Sequence, residues 1–162
     1  MRPPVPSLRA RLIVLAPALL ILSALPAAAQ APRPQEQLWD AAMQGDTAAL
    51  AAALQHGAAI DSLDTRRNPN GRRALNWAAW YNHPWAIRLL VSRGAQVNVA
   101  NRTGFTPLHH AAEHGSLDAV RELLRLGADR TLPNETGQRP IDVARERGHP
   151  SVAALLDSLP PR

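Results

Sequence analysis

Apolar residues recur along this chain at helical spacing rather than in strand-like alternation. In the stretch Asn101 to Asp129, "NRTGFTPLHHAAEHGSLDAVRELLRLGAD", Leu117, Val120, Leu123 and Leu124 form one stripe of a 3.6-residue period. Ahead of it a short helix is predicted from about Pro107 to His114, with Pro107 at a helix start where its missing N–H costs nothing. Gly115 and Gly127 close the two helices, and Ala111 and Ala112 are small enough to let neighbouring helices approach. Such a helical hairpin cannot bury its own apolar face and must stack on others.

The hairpin recurs. Gly71, Gly104 and Gly137 are spaced by 33 residues, as are Leu75, Leu108 and Ile141, and Asn82, Gly115 and Gly148. The third copy carries Thr106, Pro107, Leu108, His109, Ala111 and Ala112 in order, followed by Gly127-Ala128-Asp129. These residues resemble the T-P-L-H-x-A-A signature of the ankyrin repeats. The resemblance implies an all-α solenoid of stacked helix-turn-helix units with protruding β-turn fingers. Its expected domain is 35–159, divided into an N-terminal capping repeat 35–67, repeats 68–100 and 101–133, and a C-terminal capping repeat 134–159. In the family the signature Thr and His are hydrogen-bonded to each other. Arg139 and Asp142 stand at those positions in the fourth copy, where an ion pair could replace the bond; Arg73 and Asn76 stand there in the second. A four-residue insertion enlarges the first turn, "DTRRNPNGRR", residues 64–73.

"ALNWAAWYNHPWAIRLL", residues 74–90, raises the functional question, since it holds Trp77, Trp80, Tyr81 and Trp85. Their counterparts in the third copy are His110, Glu113, His114 and Asp118, all polar, which predicts that the rings are not core. The resemblance places the first three in a concave groove, beside Asp40 on one side and His110, Glu113 and His114 on the other, with Trp85 on the outer face. An exposed pair of indoles forgoes burial worth a few kcal/mol apiece at roughly 25 cal/mol/Å². Two covers are open: a partner protein, or the inserted turn, whose Arg66, Arg67, Arg72 and Arg73 could fold back in cation–π contacts. The predicted partner-binding set is therefore Asp40, Arg66, Arg67, Arg72, Arg73, Trp77, Trp80, Tyr81, His110, Glu113 and His114.

The first 29 residues read as a signal peptide: Arg2, Arg9 and Arg11 precede an apolar run from Leu12 to Leu25, and Ala27-Ala28-Ala29 follow. Cleavage there, or retention as a tether, leaves a short disordered stretch, 30–34, ahead of the repeats. With the leader removed, fifteen arginines against thirteen acidic groups leave about +2, so basicity is no argument for nucleic acid. The chain has no cysteine, hence no disulfide staple and no acylation site. Arginine without lysine suggests a GC-rich bacterial genome and a periplasmic or secreted protein.

Catalytic chemistry finds no footing. His110 and His114 are four apart beside Glu113, but the HExxH order is absent, and His109 is committed to the repeat's internal bond. Every glycine is explained as repeat punctuation, so no phosphate loop remains. The sequence predicts a non-enzymatic, cofactor-free and metal-free monomer that binds another protein, without nucleic acid or membrane contacts once the leader is removed. Alternatives are an inhibitor or immunity protein against a toxin in the same compartment, and an accessory factor for a periplasmic enzyme such as one handling oxidative stress.

Overall fold

The computed structural model describes residues 33–158. The predicted signal peptide 1–29 and most of the stretch 30–34 lie outside the described residues. Eight helices follow in order: α1 (Pro34–Gln44), α2 (Thr47–Gln55), α3 (Ala74–Trp80), α4 (Pro84–Ser92), α5 (Pro107–His114), α6 (Leu117–Arg125), α7 (Pro140–Glu146) and α8 (Pro150–Asp157). The odd-numbered helices pack in one row and the even-numbered in a second, each helix against its row neighbours and its own hairpin partner. None of the described helices is long and apolar enough to cross a membrane.

Local chemistry sets the ends. Proline opens α1, α4, α5, α7 and α8 at a position whose N–H has no helical partner. Asp46 caps α2 by accepting from the Ala48 and Ala49 amides. Thr106 caps α5 reciprocally with His109: the Thr106 hydroxyl lies 2.8 Å from His109 Nδ1, and His109 Nε2 donates to the Gln138 carbonyl at 3.0 Å, tying the third repeat to the fourth. Arg139 and Asp142 do form the replacement ion pair at 3.0 Å. In the second copy Asn76 accepts from the Arg73 amide instead.

The core follows from the row geometry. Ala41, Ala42, Ala78, Ala79, Ala111, Ala112 and Ala144 are buried along the first row, where small side chains let helix axes approach. Leu50, Ile87, Leu90, Val120, Leu123, Val152 and Leu156 fill the space between rows. Successive hairpins are also keyed together. At Gly115, φ is +74°, and a Cβ would sit 2.5 Å from His149 Nδ1, whose Nε2 donates to the Glu113 carbonyl at 3.1 Å. Gly45 receives His83 in the same way, with His83 Nε2 3.0 Å from the Met43 carbonyl. The middle joint differs: Asn82 takes the left-handed conformation, its Oδ1 accepts from the Ala119 amide, and the Ser116 hydroxyl donates to the Trp80 carbonyl.

The all-α solenoid stands, but the expected β-turn fingers do not. No strand forms among the described residues; the inserted turn contains one isolated bridge, between Asp64 and Arg72. The reason lies in the turn asparagines. Asn101 Oδ1 accepts from the Thr103 and Phe105 amides, and Asn134 Oδ1 from those of Thr136 and Gln138, which curls each connection on itself instead of extending it into a ladder. Adjacent turns are joined by backbone bonds from Arg102 N–H to the Asn70 carbonyl and from Glu135 N–H to the Thr103 carbonyl.

Candidate partner-binding groove

The inserted turn is organised by a residue the sequence reading passed over. Asp64 is fully buried, and its carboxylate accepts from Arg66 Nε, the Arg66 amide and Trp77 Nε1–H. Burial pushes its pKa up, but the Arg66 hydrogen bonds and charge, with the indole N–H, outweigh that and hold it below the usual carboxylate range. Arg66 also reaches Asp40 at 2.9 Å and lies over the Trp39 ring. A signal was available: an acidic residue two before an arginine at the start of an insertion.

The expectation that Trp77 is not core is corrected. Only 3% of it is exposed, because Asp64 holds its nitrogen and the Arg72 guanidinium lies 4.6 Å from its ring centre. The same guanidinium lies 4.3 Å from Trp80, which is partly buried. The inserted turn thus supplies the cover for Trp77. His110, the counterpart of Trp77, is also corrected to buried, at 3% exposure. A polar residue in the aligned copy therefore did not mean a solvent-facing position. Arg73 does not point to a partner either: its guanidinium donates to the Asp61 and Ala100 carbonyls and closes the backbone.

Of the remaining predicted residues, Trp80, Tyr81 and His114 come together, while Asp40 and Arg66 form a separate pair. Tyr81 is 42% exposed, and Trp80 packs against His114 with ring centres 4.8 Å apart. Tyr81 lies 6.4 Å from His114, which is exposed. Asp40 and Arg66 sit at the first-repeat end, and Arg67 is exposed beside them in the chain. On the turn side a cleft of about 310 Å³ is lined by Asn70, Arg72, Thr103, His110, Glu113 and Glu135, among others. His110 Nδ1 stands 3.5 Å from Glu113 Oε2, and neither ring nitrogen makes a hydrogen bond. Burial pushes the His110 pKa down; Glu113 opposes this and the Arg72 charge adds to it, so the ring is neutral near pH 7. Trp85, on α4, is 67% exposed with Arg88 over its ring, away from this cluster.

The sequence matches ankyrin repeats (3 copies) over residues 18–101 and ankyrin repeats (many copies) over residues 90–144. The chain belongs to the ankyrin-repeat family. Ankyrin-repeat domains are non-catalytic scaffolds that mediate protein–protein interaction through a groove. Among its relatives, Inversin-B of Xenopus laevis is 40% identical over 55 residues, which is 34% of this chain and 5% of the frog protein. The ankyrin repeat domain-containing protein SAT10 of Stachybotrys chartarum is 35% identical over 82 residues, 51% of this chain and 4% of the fungal protein. The tyrosine-protein kinase HTK16 of Hydra vulgaris is 35% identical over 75 residues, 45% of this chain and 9% of the kinase. The chain thus spans less than a tenth of the length of these relatives.

These ankyrin relatives are eukaryotic proteins, which overturns the exported bacterial type and the periplasmic or secreted location expected from the N-terminal pattern. The family match begins at residue 18, within the apolar run itself. Short runs rich in alanine and leucine are common to signal peptides and to packed repeat helices, and hydropathy alone does not separate them.

Proposed function

We propose that this ankyrin-repeat chain captures one protein partner on the surface of α3 and α5, with Trp80, Tyr81 and His114 as the aromatic contact. Glu113 and Arg72 border this surface on the turn side, and Asp40, Arg66 and Arg67 extend it toward the first repeat. Trp77, Arg73 and His110 support it from beneath. The observation that carries the reading is the exposure of Tyr81 at 42%, held beside Trp80 and His114 in a packed aromatic cluster at the C-terminal ends of α3 and α5. Ordered aromatic side chains present contact area with little entropy left to lose, and they dominate the energetics of interfaces.

The test is affinity capture with wild type, Tyr81→Ala/His114→Ala, and Trp85→Ala. Loss of a hot-spot pair is expected to weaken binding by about 2 kcal/mol or more, roughly thirtyfold. Helical circular dichroism should stay near wild type in all three. A partner retained equally by the groove variant, or lost with Trp85→Ala alone, would refute the reading.

A further inference from the structure

Among the described residues, Arg72 is the arginine that lines the cleft, and it makes no ion pair with a carboxylate there. Building on the partner-binding reading above, we propose that the cleft beside α5 seats a carboxylate of the partner on Arg72, so that the captured segment is an acidic peptide.

Two observations support this. First, Arg72 is pre-positioned: its plane is pinned against Trp77 and Trp80, at 4.6 and 4.3 Å, which leaves its edges to do the recognition. Its Nε is buried and has no acceptor. A guanidinium held flat presents a planar fork that matches a carboxylate, and an unmet buried N–H is costly until an acceptor arrives. Second, the fold supplies carboxylates to several other arginines, with Asp64 and Asp40 on Arg66, Glu122 on Arg88 and Arg125, and Asp142 on Arg139, while Arg73 is met by the Asp61 and Ala100 carbonyls. The nearest acid to Arg72 is Glu113, whose Oε1 accepts from Arg147 at 3.1 Å and whose Oε2 faces His110. Of the residues that line the cleft, Arg72 is the cation and Glu113 and Glu135 are the acids, and Glu113 is engaged by Arg147.

His110 adds to the case. It lines the same cleft at 3% exposure, its Nδ1 facing Glu113 at 3.5 Å and neither ring nitrogen hydrogen-bonded, a polar wall behind the cation. The cleft, at about 310 Å³, is large enough for one side chain with its solvent displaced.

The experiment titrates the full chain with three acetylated peptide pools of random flanks: central Glu and amidated, central Gln and amidated, and central Gln with a free C-terminal carboxylate. Fluorescence polarisation at low ionic strength reads the affinity, and the Arg72 Nε–H resonance reads the site. The Glu pool is expected to bind wild type about tenfold tighter than the amidated Gln pool, a preference that Arg72→Gln abolishes and that Arg93→Gln, at the exposed end of α4, keeps. Should Arg72→Gln disturb folding, Arg72→Lys retains the charge but not the fork, and the wild-type resonance must still shift with the Glu pool and not with the amidated Gln pool. Preference for the free-carboxylate pool with the same resonance shift supports the Arg72 site and names a chain terminus as the source. Equal binding of all pools, no binding, or a stationary Arg72 resonance overturns the proposal. If the pools bind equally and Tyr81→Ala/His114→Ala still abolishes partner capture, the groove reading survives this failure; if capture is also unaffected, both fall.

Discussion

Asp64 shows how one side chain can decide what a neighbouring aromatic does. Its buried carboxylate draws Arg66 and the Trp77 indole to one point, and the turn closes with Arg72 across both indoles. Asp64→Asn keeps the shape but loses the charge-assisted bonds, and should lower unfolding stability by about 2 kcal/mol. Because the folded pKa lies below the unfolded one, this contribution is complete above the ordinary carboxylate range and is lost as pH falls through the folded value. Thermal melts from pH 7 downward should therefore show the wild-type advantage over Asp64→Asn shrinking only in acid. A constant advantage across that range would mean the carboxylate is not charged in the fold. Trp77 was misplaced from sequence because matching copies gives register, not cover: the insertion that roofs this ring exists only in the second copy, so no other copy could disclose it.

At the scale of elements, the two rows are fastened differently. On the outer row Glu122 of α6 accepts from Arg88 of α4 and from Arg125 on its own helix, and those hydrogen bonds pull its pKa down to about 2. The stability this clamp adds is whole above pH 4.5 and drains as pH falls toward about 2. Glu122→Gln should thus be less stable than wild type at pH 7 and nearly equal to it near pH 2 by chemical denaturation. On the inner row, Gly115→Ala would push a methyl to within 2.5 Å of His149 Nδ1 at a φ of +74°. A loss of about 2 kcal/mol or more is expected in the same assay, with α7 and α8 displaced in amide chemical shifts. The helices, their proline starts and glycine stops were legible because period and punctuation are local properties. The absence of strands was not, since Asn101 and Asn134 satisfy turn amides through side-chain geometry that spacing does not report.

Among the described residues each hairpin packs mainly on its neighbours in the row, so stability is distributed like links rather than pooled in one centre. Leu156→Ala in α8 should cost about 3 kcal/mol and accelerate hydrogen exchange in α7 and α8, while amides of α3 keep most of their protection. Uniform acceleration would instead indicate a single cooperative unit. The aromatic surface of α3 and α5 lies in the interior of this array, on the pair of hairpins supported from both sides. Tyr81 and His114 could be named from sequence because the repeat alignment put them on one face, and Arg72 because the inserted turn carries arginines able to fold back over the rings. The unanswered charge of Arg72 could not, since it depends on where Glu113 and Arg147 spend their hydrogen bonds.

The alternating joints carry a rule about order. An imidazole drops into the space above Gly45 and Gly115, whereas the joint between them uses a left-handed Asn82 answered by a serine. A gene engineer who duplicated the second hairpin in tandem would set His83 against the Asn82 side chain, and a tandem third hairpin would leave Gly115 facing Ser116 with a void. Units of this chain therefore behave as directional tiles with matched edges, and grafting schemes must move them in pairs.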